Sequence, residues 1–491
     1  MAGSTQINLD ASTVRNVVEE VLRSLGHDVA PSPAQAAPTS CGNNGRPRRR
    51  FGIFDEAGSA ARAALDAYHQ LKEKGVAGRV KVVEIVKGIC EEKAVEWGKL
   101  EFEETKIGRL DHKIEKLQIV KLVPGVEWLK PYGLSGDHGI TLEEFTPFGV
   151  VGAITPVTHS IPTVSGNVIN IVAAGNAVVF NPHPGGARCA TEAIRTFNQA
   201  IHRELGIENL ICTVEHPTLE SFDALCQAPE IDLLCVTGGP GVVQAAMRSG
   251  KRAICAGPGN PPVLIDETAD IEKAARCIVE GGAYDNNLLC IGEKEIFVLD
   301  SVADRFVRAF KEAGAAQLNR SQLDRLTAEA FTDSKDAGGC SHPVLNRDLI
   351  GKDACVLGRT AGITVSADTQ LLFADSDPDH PFVMEEQMMP MIPVIRVPSV
   401  ERGIELAKKA EHGYKHSSII HSLNVDHMTA MARALDSTLF VKNGPSTAGL
   451  GLGGEGYLSY SIATTTGEGI TNPKTFTRTR RCVMVDNLRI Y

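Results

Sequence analysis

The pattern of apolar and polar positions divides the chain into a short N-terminal helix, a linker and a long body. Within residues 7–25, apolar side chains recur every three or four positions, which predicts an amphipathic helix. The apolar stripe consists of Val14, Val17, Val18, Val21, Leu22 and Leu25. Residues 27–50 are rich in Pro, Ala, Ser, Gly and Asn and end in a basic run, which is typical of a flexible linker. We therefore assign residues 1–26 to a tethered helix separate from the body.

The body begins at residue 51 with a helical region and continues with short apolar runs. The helical pattern predicts helices at about 55–74, 79–108 and 110–122. Residues 123–145 are less regular, although residues 141–145 fit a strand. Strands are then predicted at 149–155, 177–181, 210–215, 233–237 and 253–256, with helices at 162–174, 186–205, 218–228 and 241–249. Nearly all-apolar strands that alternate with helices are typical of a parallel, doubly wound sheet.

A second set of alternating elements follows the first. Its strands are predicted at 263–265, 295–299, 392–397 and 417–421, and its helices at 271–281, 302–316, 401–411 and 426–435. The predicted fold is therefore α/β, with two doubly wound domains of the Rossmann type. The tail, residues 459–485, alternates polar and apolar positions, and we expect it to supply an edge strand that crosses to another subunit.

Composition places the chain among globular proteins and excludes several classes. Of its 491 residues, 43% are apolar and 22% charged, which is an ordinary globular profile. The net charge of −10 argues against a nucleic-acid-binding surface, and no apolar run is long enough to span a membrane. The twelve cysteines include no CxxC pair, so neither a zinc site nor a redox motif is indicated. Their surroundings fit a reducing cytosol, and no secretory signal is present.

Cys290 is the candidate nucleophile. It lies between a predicted helix and the predicted strand at 295–299, with two asparagines and a glycine nearby, which suits a tight loop. A thiolate at such a junction is a strong nucleophile toward a carbonyl carbon, such as that of an aldehyde. The alternative is that Cys290 is a small buried apolar residue, as most free cysteines are.

Two glycine-rich stretches have different contexts. Residues 238–241 end a predicted strand and begin a helix, so that their N–H groups can bind a pyrophosphate, although a plain turn is the alternative. Residues 449–454 match the pattern G-x-G-x-x-G, but no helical pattern follows them. A dinucleotide-binding fingerprint requires strand, turn and helix in that order, so we predict a glycine loop there.

Several windows together resemble the aldehyde dehydrogenase superfamily, and most closely the CoA-acylating aldehyde dehydrogenases of bacterial microcompartments. They are FGVVGAITP (148–156), AAGNAVVFNPHP (173–184), VTGGPG (236–241), AGPGN (256–260), the Cys290 loop and EEQMMP (385–390). The resemblance implies an NAD-binding domain at 51–255, in which residues 120–146 contribute to oligomerisation, and a catalytic domain at 256–445. Residues 446–491 would form a return segment and an oligomerisation strand.

The resemblance also implies the cofactor site. The residues that would contact NAD are Thr155, Pro156, Asn181, His183, Gly238, Gly239, Gly241, Glu386 and Met388. In the family, the carboxylate aligned with Glu386 binds the nicotinamide ribose, and the side chain aligned with Met388 packs on the nicotinamide. Many relatives have a lysine where Asn181 stands, which leaves the choice between NAD and NADP open. A solvated surface charge pair is the alternative for Glu385 and Glu386.

Two departures from the family pattern concern the chemistry. Hydrolytic relatives have a glutamate base where this chain has Ala256, 34 residues before Cys290, so CoA rather than water is the expected acyl acceptor. His159 stands where the family has an asparagine that binds the oxyanion. An imidazole N–H can take that role, but Asn167 and Asn170 are rivals, and a structural histidine is the alternative.

The expected function is NAD-dependent oxidation of a short-chain aldehyde to its acyl-CoA through a thioester on Cys290. The resemblance further implies a homodimer or homotetramer in the cytoplasm, inside the lumen of a bacterial microcompartment. Residues 1–26 resemble an encapsulation peptide that binds a shell protein. Packing on the enzyme itself or on a membrane surface are alternatives for this helix. A hydrolytic aldehyde dehydrogenase and a non-catalytic scaffold remain alternatives for the body.

Overall fold

The computed structural model describes residues 50–335 and 341–489. The helix predicted within residues 7–25 and all but the last residue of the predicted linker lie outside the described residues. Within them, no helix is both long enough and apolar enough to cross a membrane.

The first sheet contains six parallel strands in the order β1-β6-β5-β4-β7-β8. These strands are β1 (Ile53–Phe54), β4 (Val150–Thr155), β5 (Ala177–Pro182), β6 (Ile211–Val214), β7 (Ile231–Thr237) and β8 (Ala253–Ala256). Every residue of β4, β5 and β6 is buried, which explains their continuous apolar runs. The strands predicted between residues 149 and 256 are confirmed to within two residues at each end.

The second sheet contains seven parallel strands in the order β11-β14-β15-β10-β9-β16-β17. They are β9 (Pro262–Ile265), β10 (Glu295–Leu299), β11 (Ala315–Gln317), β14 (Leu371–Asp375), β15 (Met391–Val397), β16 (Ser417–His421) and β17 (Leu439–Lys442). Two parallel sheets covered by helices confirm the predicted α/β fold with two doubly wound units. The domain boundaries proposed from the sequence stay a prediction.

Fourteen α-helices lie among the described residues. They are α1 (Ala57–Glu92), α2 (Ala94–Thr105), α3 (Leu110–Gln118), α4 (Ser160–Ala173), α5 (Ala187–Leu205), α6 (Leu219–Gln227), α7 (Pro240–Arg248), α8 (Ile271–Ala283), α9 (Asp300–Glu312), α10 (Arg320–Ala330), α11 (Ala354–Ala361), α12 (Pro381–Met384), α13 (Val400–Ala410) and α14 (Val425–Leu435). Gly75, at φ +63°, interrupts α1 where the sequence predicted a break. The single helix predicted at 79–108 is wrong, because Lys93 leaves helical geometry (ψ 10°) and separates α1 from α2.

A third sheet joins the middle of the chain to its tail. Its strands are β2 (Tyr132–Gly136), β3 (Gly139–Pro147) and β20 (Thr477–Val485), and both pairings are antiparallel. The tail therefore does form a strand, and it pairs along its whole length with β3 of the same chain. Tyr132, Leu134 and Val485 remain exposed in this sheet. The predicted crossing to another subunit stays a prediction.

Two short antiparallel pairs complete the described strands: β12 (Phe331–Lys335) with β13 (Ser341–Leu345), and β18 (Ile462–Ala463) with β19 (Gly469–Ile470). The glycine-rich stretch at 449–454 begins at the end of a 3₁₀ turn, Ser446–Leu450, and leads into turns rather than a helix. The glycine loop predicted there is confirmed.

Asn176 ties the first sheet to the tail. Its buried Oδ1 accepts hydrogen bonds from the backbone N–H groups of Phe148 (2.7 Å) and Gly149 (3.0 Å), just before β4. Its Nδ2 donates to the carbonyl oxygens of Ile171 (3.2 Å) and Phe476 (2.9 Å). One side chain thus satisfies backbone groups from three separate segments.

Replacing Asn176 with alanine should lower the free energy of unfolding by about 2–4 kcal/mol, because buried backbone groups lose their partners. Urea unfolding followed by fluorescence measures the change. Asn487→Ala is the matched control, since the exposed Asn487 donates only to the carbonyl of Val485. Equal unfolding midpoints for the two variants would contradict the role given to Asn176.

Candidate active site

The carboxyl ends of β5, β4 and β7 lie side by side and bring three predicted cofactor residues to one edge of the first sheet. Thr155 ends β4 opposite Pro182 of β5, and Asn181 lies opposite Ile154. Gly238 directly follows β7, the other neighbour of β4. Open parallel sheets bind ligands at this edge, so the position suits a cofactor.

Gly238, Gly239 and Gly241 form the turn from β7 into α7. Gly239 is the N-cap of α7, which places the free N–H groups and the positive end of the helix dipole at the sheet edge. A β-carbon on Gly239 or Gly241 would meet no heavy atom within 4 Å, whereas one on Gly238 would lie 2.8 Å from Val242 Cγ2. The backbone at Gly239 and Gly241 is therefore open, as a bound pyrophosphate requires.

Two predicted cofactor side chains already have partners inside the protein. Asn181 accepts a hydrogen bond from Ser221 Oγ (2.6 Å) and donates to the carbonyl of Thr218 (3.4 Å), so it fixes the start of α6. His183 Nδ1 accepts from the backbone N–H two residues later (3.1 Å), and burial lowers the pKa of His183. Pro156 follows β4 and is half-buried. Direct contact of these side chains with a cofactor stays a prediction.

Cys290 follows a turn with an unusual backbone. The turn, Tyr284–Asn287, contains Asp285 and Asn286 at φ +49° and +56°, and Asn287 at φ +64°. Asp and Asn tolerate the left-handed region better than other residues with a β-carbon, which explains the sequence Asp-Asn-Asn at this place. The tight loop predicted before Cys290 is present.

The two asparagines of this turn are held by backbone carbonyls. Asn286 Nδ2 donates to the carbonyl of Gly351 (2.9 Å), and Asn287 Nδ2 donates to those of Gly282 (2.7 Å) and Glu293 (2.8 Å). Both side chains are buried, so each bond forms away from water. The turn is therefore a fixed platform for the thiol rather than a mobile loop.

The charged groups around Cys290 shift the pKa of its thiol in opposite directions. Burial, followed by the Glu386 carboxylate, raises the pKa of the Cys290 thiol to about 12, although Lys294 and Lys116 act in the opposite direction. Lys294 is buried and donates to the carbonyl of Asn287 (2.8 Å), in the turn before the thiol. At neutral pH the Cys290 side chain is therefore a protonated thiol in the protein alone.

Glu386 belongs to the same cluster. Burial raises the pKa of Glu386. Lys294 and a hydrogen bond from the Gly259 backbone N–H act in the opposite direction and lower it. A β-carbon on Gly259 would lie 2.6 Å from the Cys290 carbonyl oxygen and 2.9 Å from His416 Cγ. Glu386 is therefore part of the site around Cys290 rather than a solvated surface charge.

The segment around Met388 is fixed by its neighbours. Gln387 Nε2 donates to the carbonyls of Lys294 (2.9 Å) and Met391 (2.9 Å), which ties the segment to the start of β10. Met388 has φ +45°, and its carbonyl accepts from the N–H of Gly351 (2.9 Å). This segment brings Glu386 and Met388 to the Cys290 loop, as the predicted cofactor contacts need.

His159 is the N-cap of α4 and is 5% exposed. Burial, followed by the charges of Lys116 and Lys113, lowers the pKa of His159 well below its ordinary value, so the imidazole is neutral. Its Nδ1 has no hydrogen-bond partner among the described residues. Asn170 Nδ2 donates to the carbonyl of Thr471 (3.5 Å), so that rival is engaged. Asn167 accepts from Ser461 Oγ through Oδ1 (3.0 Å), but its Nδ2 also has no partner among the described residues. His159 and Asn167 therefore both offer a free donor, and His159 as the oxyanion donor stays a prediction.

The buried lysines of the site were not predicted from the sequence. Lys113 and Lys116 are buried on α3, and Lys294 is buried beside the nucleophile loop. A signal was available for Lys113, because it falls in the apolar stripe that Leu110 and Leu117 begin and end. Lys294 carries no such signal, since a lysine beside glutamates in a sequence usually indicates a solvated surface.

Glu386→Gln should make Cys290 more reactive toward iodoacetamide. Removing the carboxylate removes repulsion of the thiolate, so the pKa of Cys290 falls and alkylation at pH 8.5 accelerates about three- to tenfold. The rate, followed by mass spectrometry of the Cys290 peptide, should keep rising with pH up to at least about pH 10 in both proteins, because alkylation follows the thiolate fraction. Glu385→Gln serves as the neighbouring control. An unchanged or slower rate in Glu386→Gln would show that the carboxylate does not act on the thiol.

Comparisons with known proteins show the family of this chain. The aldehyde dehydrogenase family model matches residues 54–456. An acetaldehyde dehydrogenase (acetylating) of Salmonella typhimurium is 44% identical over 442 residues, which cover 90% of this chain and 94% of the relative.

Two solved structures are similar over 90% of this chain. One is the Rhodopseudomonas palustris propionaldehyde dehydrogenase with bound CoA and an acylated cysteine, at 40% identity and a TM-score of 0.86 over 100% of that chain. The other is a propionaldehyde dehydrogenase from the fucose utilisation bacterial microcompartment of Clostridium phytofermentans, at 42% identity and a TM-score of 0.86 over 100% of that chain. The chain therefore belongs to the aldehyde dehydrogenase family.

Proposed function

We propose that this protein oxidises a short-chain aldehyde to its acyl-CoA, with NAD as the hydride acceptor and a thioester on Cys290 as the intermediate. The observation that carries the proposal is the rigid platform of left-handed residues that presents Cys290 beside Glu386 and Lys294. The names of the relatives support it: one is an acetylating acetaldehyde dehydrogenase, and another was solved with CoA and an acylated cysteine.

The residues of the site have the following roles in this proposal. Cys290 gives up its thiol proton to solvent and attacks the aldehyde carbon as the thiolate. The oxyanion that forms accepts hydrogen bonds from the Cys290 backbone N–H and from the neutral imidazole of His159. Thr155 and the turn from Gly238 to Gly241 would hold NAD⁺, which would supply the hydride acceptor, and Glu386 and Met388 would orient its reactive end. The CoA thiolate then attacks the thioester carbon, so the acyl group passes to CoA and the Cys290 sulfur leaves.

The residue at position 256 favours CoA over water as the acyl acceptor. Ala256 ends β8 and is 3% exposed, so no carboxylate can act as a general base from this position. General-base assistance to an attacking water is worth roughly 10²–10⁴-fold. A thiol needs less assistance, because its pKa lies far below that of water. Acyl transfer to CoA is therefore favoured over hydrolysis at this site.

The product should be acyl-CoA. With propionaldehyde, NAD⁺ and CoA, NADH and propionyl-CoA should form in equal amounts, and Cys290→Ala should form neither. Ala256→Glu should raise the share of free propionate, since a carboxylate at this position can activate water. Mass spectrometry of the products distinguishes the two outcomes. Steady NADH formation without CoA, accompanied by propionate at a comparable rate, would refute the acylating function, and an inactive wild-type protein would favour a scaffold.

We also propose that the protein works inside a bacterial microcompartment as a homodimer or homotetramer. One similar structure comes from such a compartment. The valine and leucine stripe within residues 7–25 suits docking of a helix into a groove of a shell protein. The exposed apolar side chains of the third sheet, including Tyr132, Leu134 and Val485, offer a contact surface for a second subunit.

Deleting residues 1–26 should leave the catalytic rate within about threefold of the full chain, because the catalytic groups lie in the body. The truncated enzyme should nevertheless fail to enter shells when both are co-expressed. Residues 1–26 fused to a fluorescent protein should enter them, and a fusion with Val14, Val17 and Val21 changed to serine should not. Co-purification of the truncated enzyme with shells, or a diffuse wild-type fusion, would contradict targeting by this segment.

A further inference from the structure

Helix α3 buries two lysines that lie one turn apart. Lys113 is 1% exposed and Lys116 is 0% exposed. A buried ammonium group costs several kcal/mol unless it is paired and hydrogen-bonded. Each lysine meets that need with a different carboxylate: Lys113 pairs with Glu101 (3.0 Å), and Lys116 pairs with Asp285. Each ion pair contacts a different catalytic segment, one containing His159 and the other preceding Cys290.

Lys113 leads to the segment that contains His159. Its Nζ donates to the carbonyl of Thr158 (3.2 Å), directly before His159. Its partner Glu101 accepts a second hydrogen bond through Oε2 from the N–H of Ile161 (3.0 Å), in the first turn of α4. The lysine and its carboxylate therefore fix the backbone both before His159, at Thr158, and after it, at Ile161.

Lys116 leads to the turn that presents Cys290. Its partner Asp285 is the first of the three residues with positive φ, and Asp285 Oδ1 also accepts from the N–H of Arg109, the N-cap of α3 (2.7 Å). The N–H of Asp285 donates to Nδ1 of His112, also on α3 (2.8 Å). Asp285, in the turn before Cys290, is thus fixed by three residues of α3 and its N-cap: Arg109, His112 and Lys116.

We propose that Lys113 and Lys116 are positioning residues that fix the His159 segment and the Cys290 turn to one helix and thereby set the separation of the two groups. The proposal rests on the catalytic role proposed for Cys290. Removing either lysine leaves a buried carboxylate without its cation, and that carboxylate must draw in water or move. A displacement of about 1 Å between reacting groups costs on the order of 10²-fold in rate.

The two lysines differ in how directly they contact the turn that precedes Cys290. Lys116 pairs with Asp285 in the turn of Cys290, and its charge favours the thiolate. The hydrogen bonds of Lys113 go instead to Glu101 and Thr158, on the His159 side. Loss of Lys116 should therefore change both the rate of turnover and the reactivity of Cys290 itself. Loss of Lys113 should change the rate of turnover alone. A merely structural role would not produce this difference.

The test compares Lys116→Met and Lys113→Met with Lys116→Arg, and uses Lys415→Met as the control for an exposed ion pair, that of Lys415 with Asp436. The measurements are kcat per titrated Cys290 with propionaldehyde and CoA, the KM for NAD⁺, the melting temperature, and the alkylation rate of Cys290 between pH 7 and 10. Lys116→Met and Lys113→Met should each lower kcat about 10- to 100-fold, with the KM for NAD⁺ within about threefold. Lys116→Arg should recover most of the activity, and Lys415→Met should match the wild type.

The alkylation rate of Cys290 distinguishes a positioning role of the lysines from an effect on protein stability alone. It should slow in Lys116→Met and stay unchanged in Lys113→Met. Lower melting temperatures with unchanged kcat per titrated Cys290, or equal alkylation changes in both variants, would overturn the proposal. If Lys116→Met does not fold, Lys116→Met/Asp285→Asn removes both buried charges and carries the same measurements. A wild-type enzyme that forms no acyl-CoA, or an active Cys290→Ala, would instead refute the proposed function.

Discussion

The site depends on one constraint: three consecutive residues with a left-handed backbone precede the nucleophile. Such residues cost of order 1 kcal/mol each and persist only where the surroundings determine them. Here the side chains of these three residues are buried and paired, Asp285 with Lys116, Asn286 with Gly351 and Asn287 with Gly282. Because the partners come from α3, α8 and the segment before α11, the position of Cys290 depends on the packing of distant parts of the chain.

The parallel sheets explain why the remaining groups converge. The first sheet ends its strands β4, β5 and β7 at a common edge, where Thr155, Asn181 and Gly238 meet. In the second sheet, β10 lies between β9 and β15, so the segments that enter these strands are neighbours. Those segments contain Gly259, Cys290 and Glu386. The chemistry is thus assembled by strand order rather than by any continuous stretch of sequence.

The sequence predicts elements well where a single physical signal dominates. Fully buried parallel strands such as β4 and β5 are continuous apolar runs, and their bounds follow within one residue. The region of α10, α11 and β14 was not predicted, because its helices are only eleven and eight residues long and give a weak periodic signal. Cys290 was identified from its place at a predicted helix–strand junction, and Glu386 through a resemblance carried by local windows. Lys116 was not, because its partner Asp285 lies 169 residues away and no local pattern indicates that pairing.

The surroundings that hold Cys290 also bear on the choice of acyl acceptor. Burial and the Glu386 carboxylate together raise the pKa of the Cys290 thiol to about 12, so the site disfavours any anion that is not specifically paired. Water can attack a thioester well only as hydroxide or with a base, and Ala256 provides none. A CoA thiol has a pKa several units below that of water, so it reaches its reactive anion at far lower cost in the same surroundings. A buried site without a base at position 256 therefore selects the thiol through intrinsic acidity, before any contact with the rest of CoA contributes.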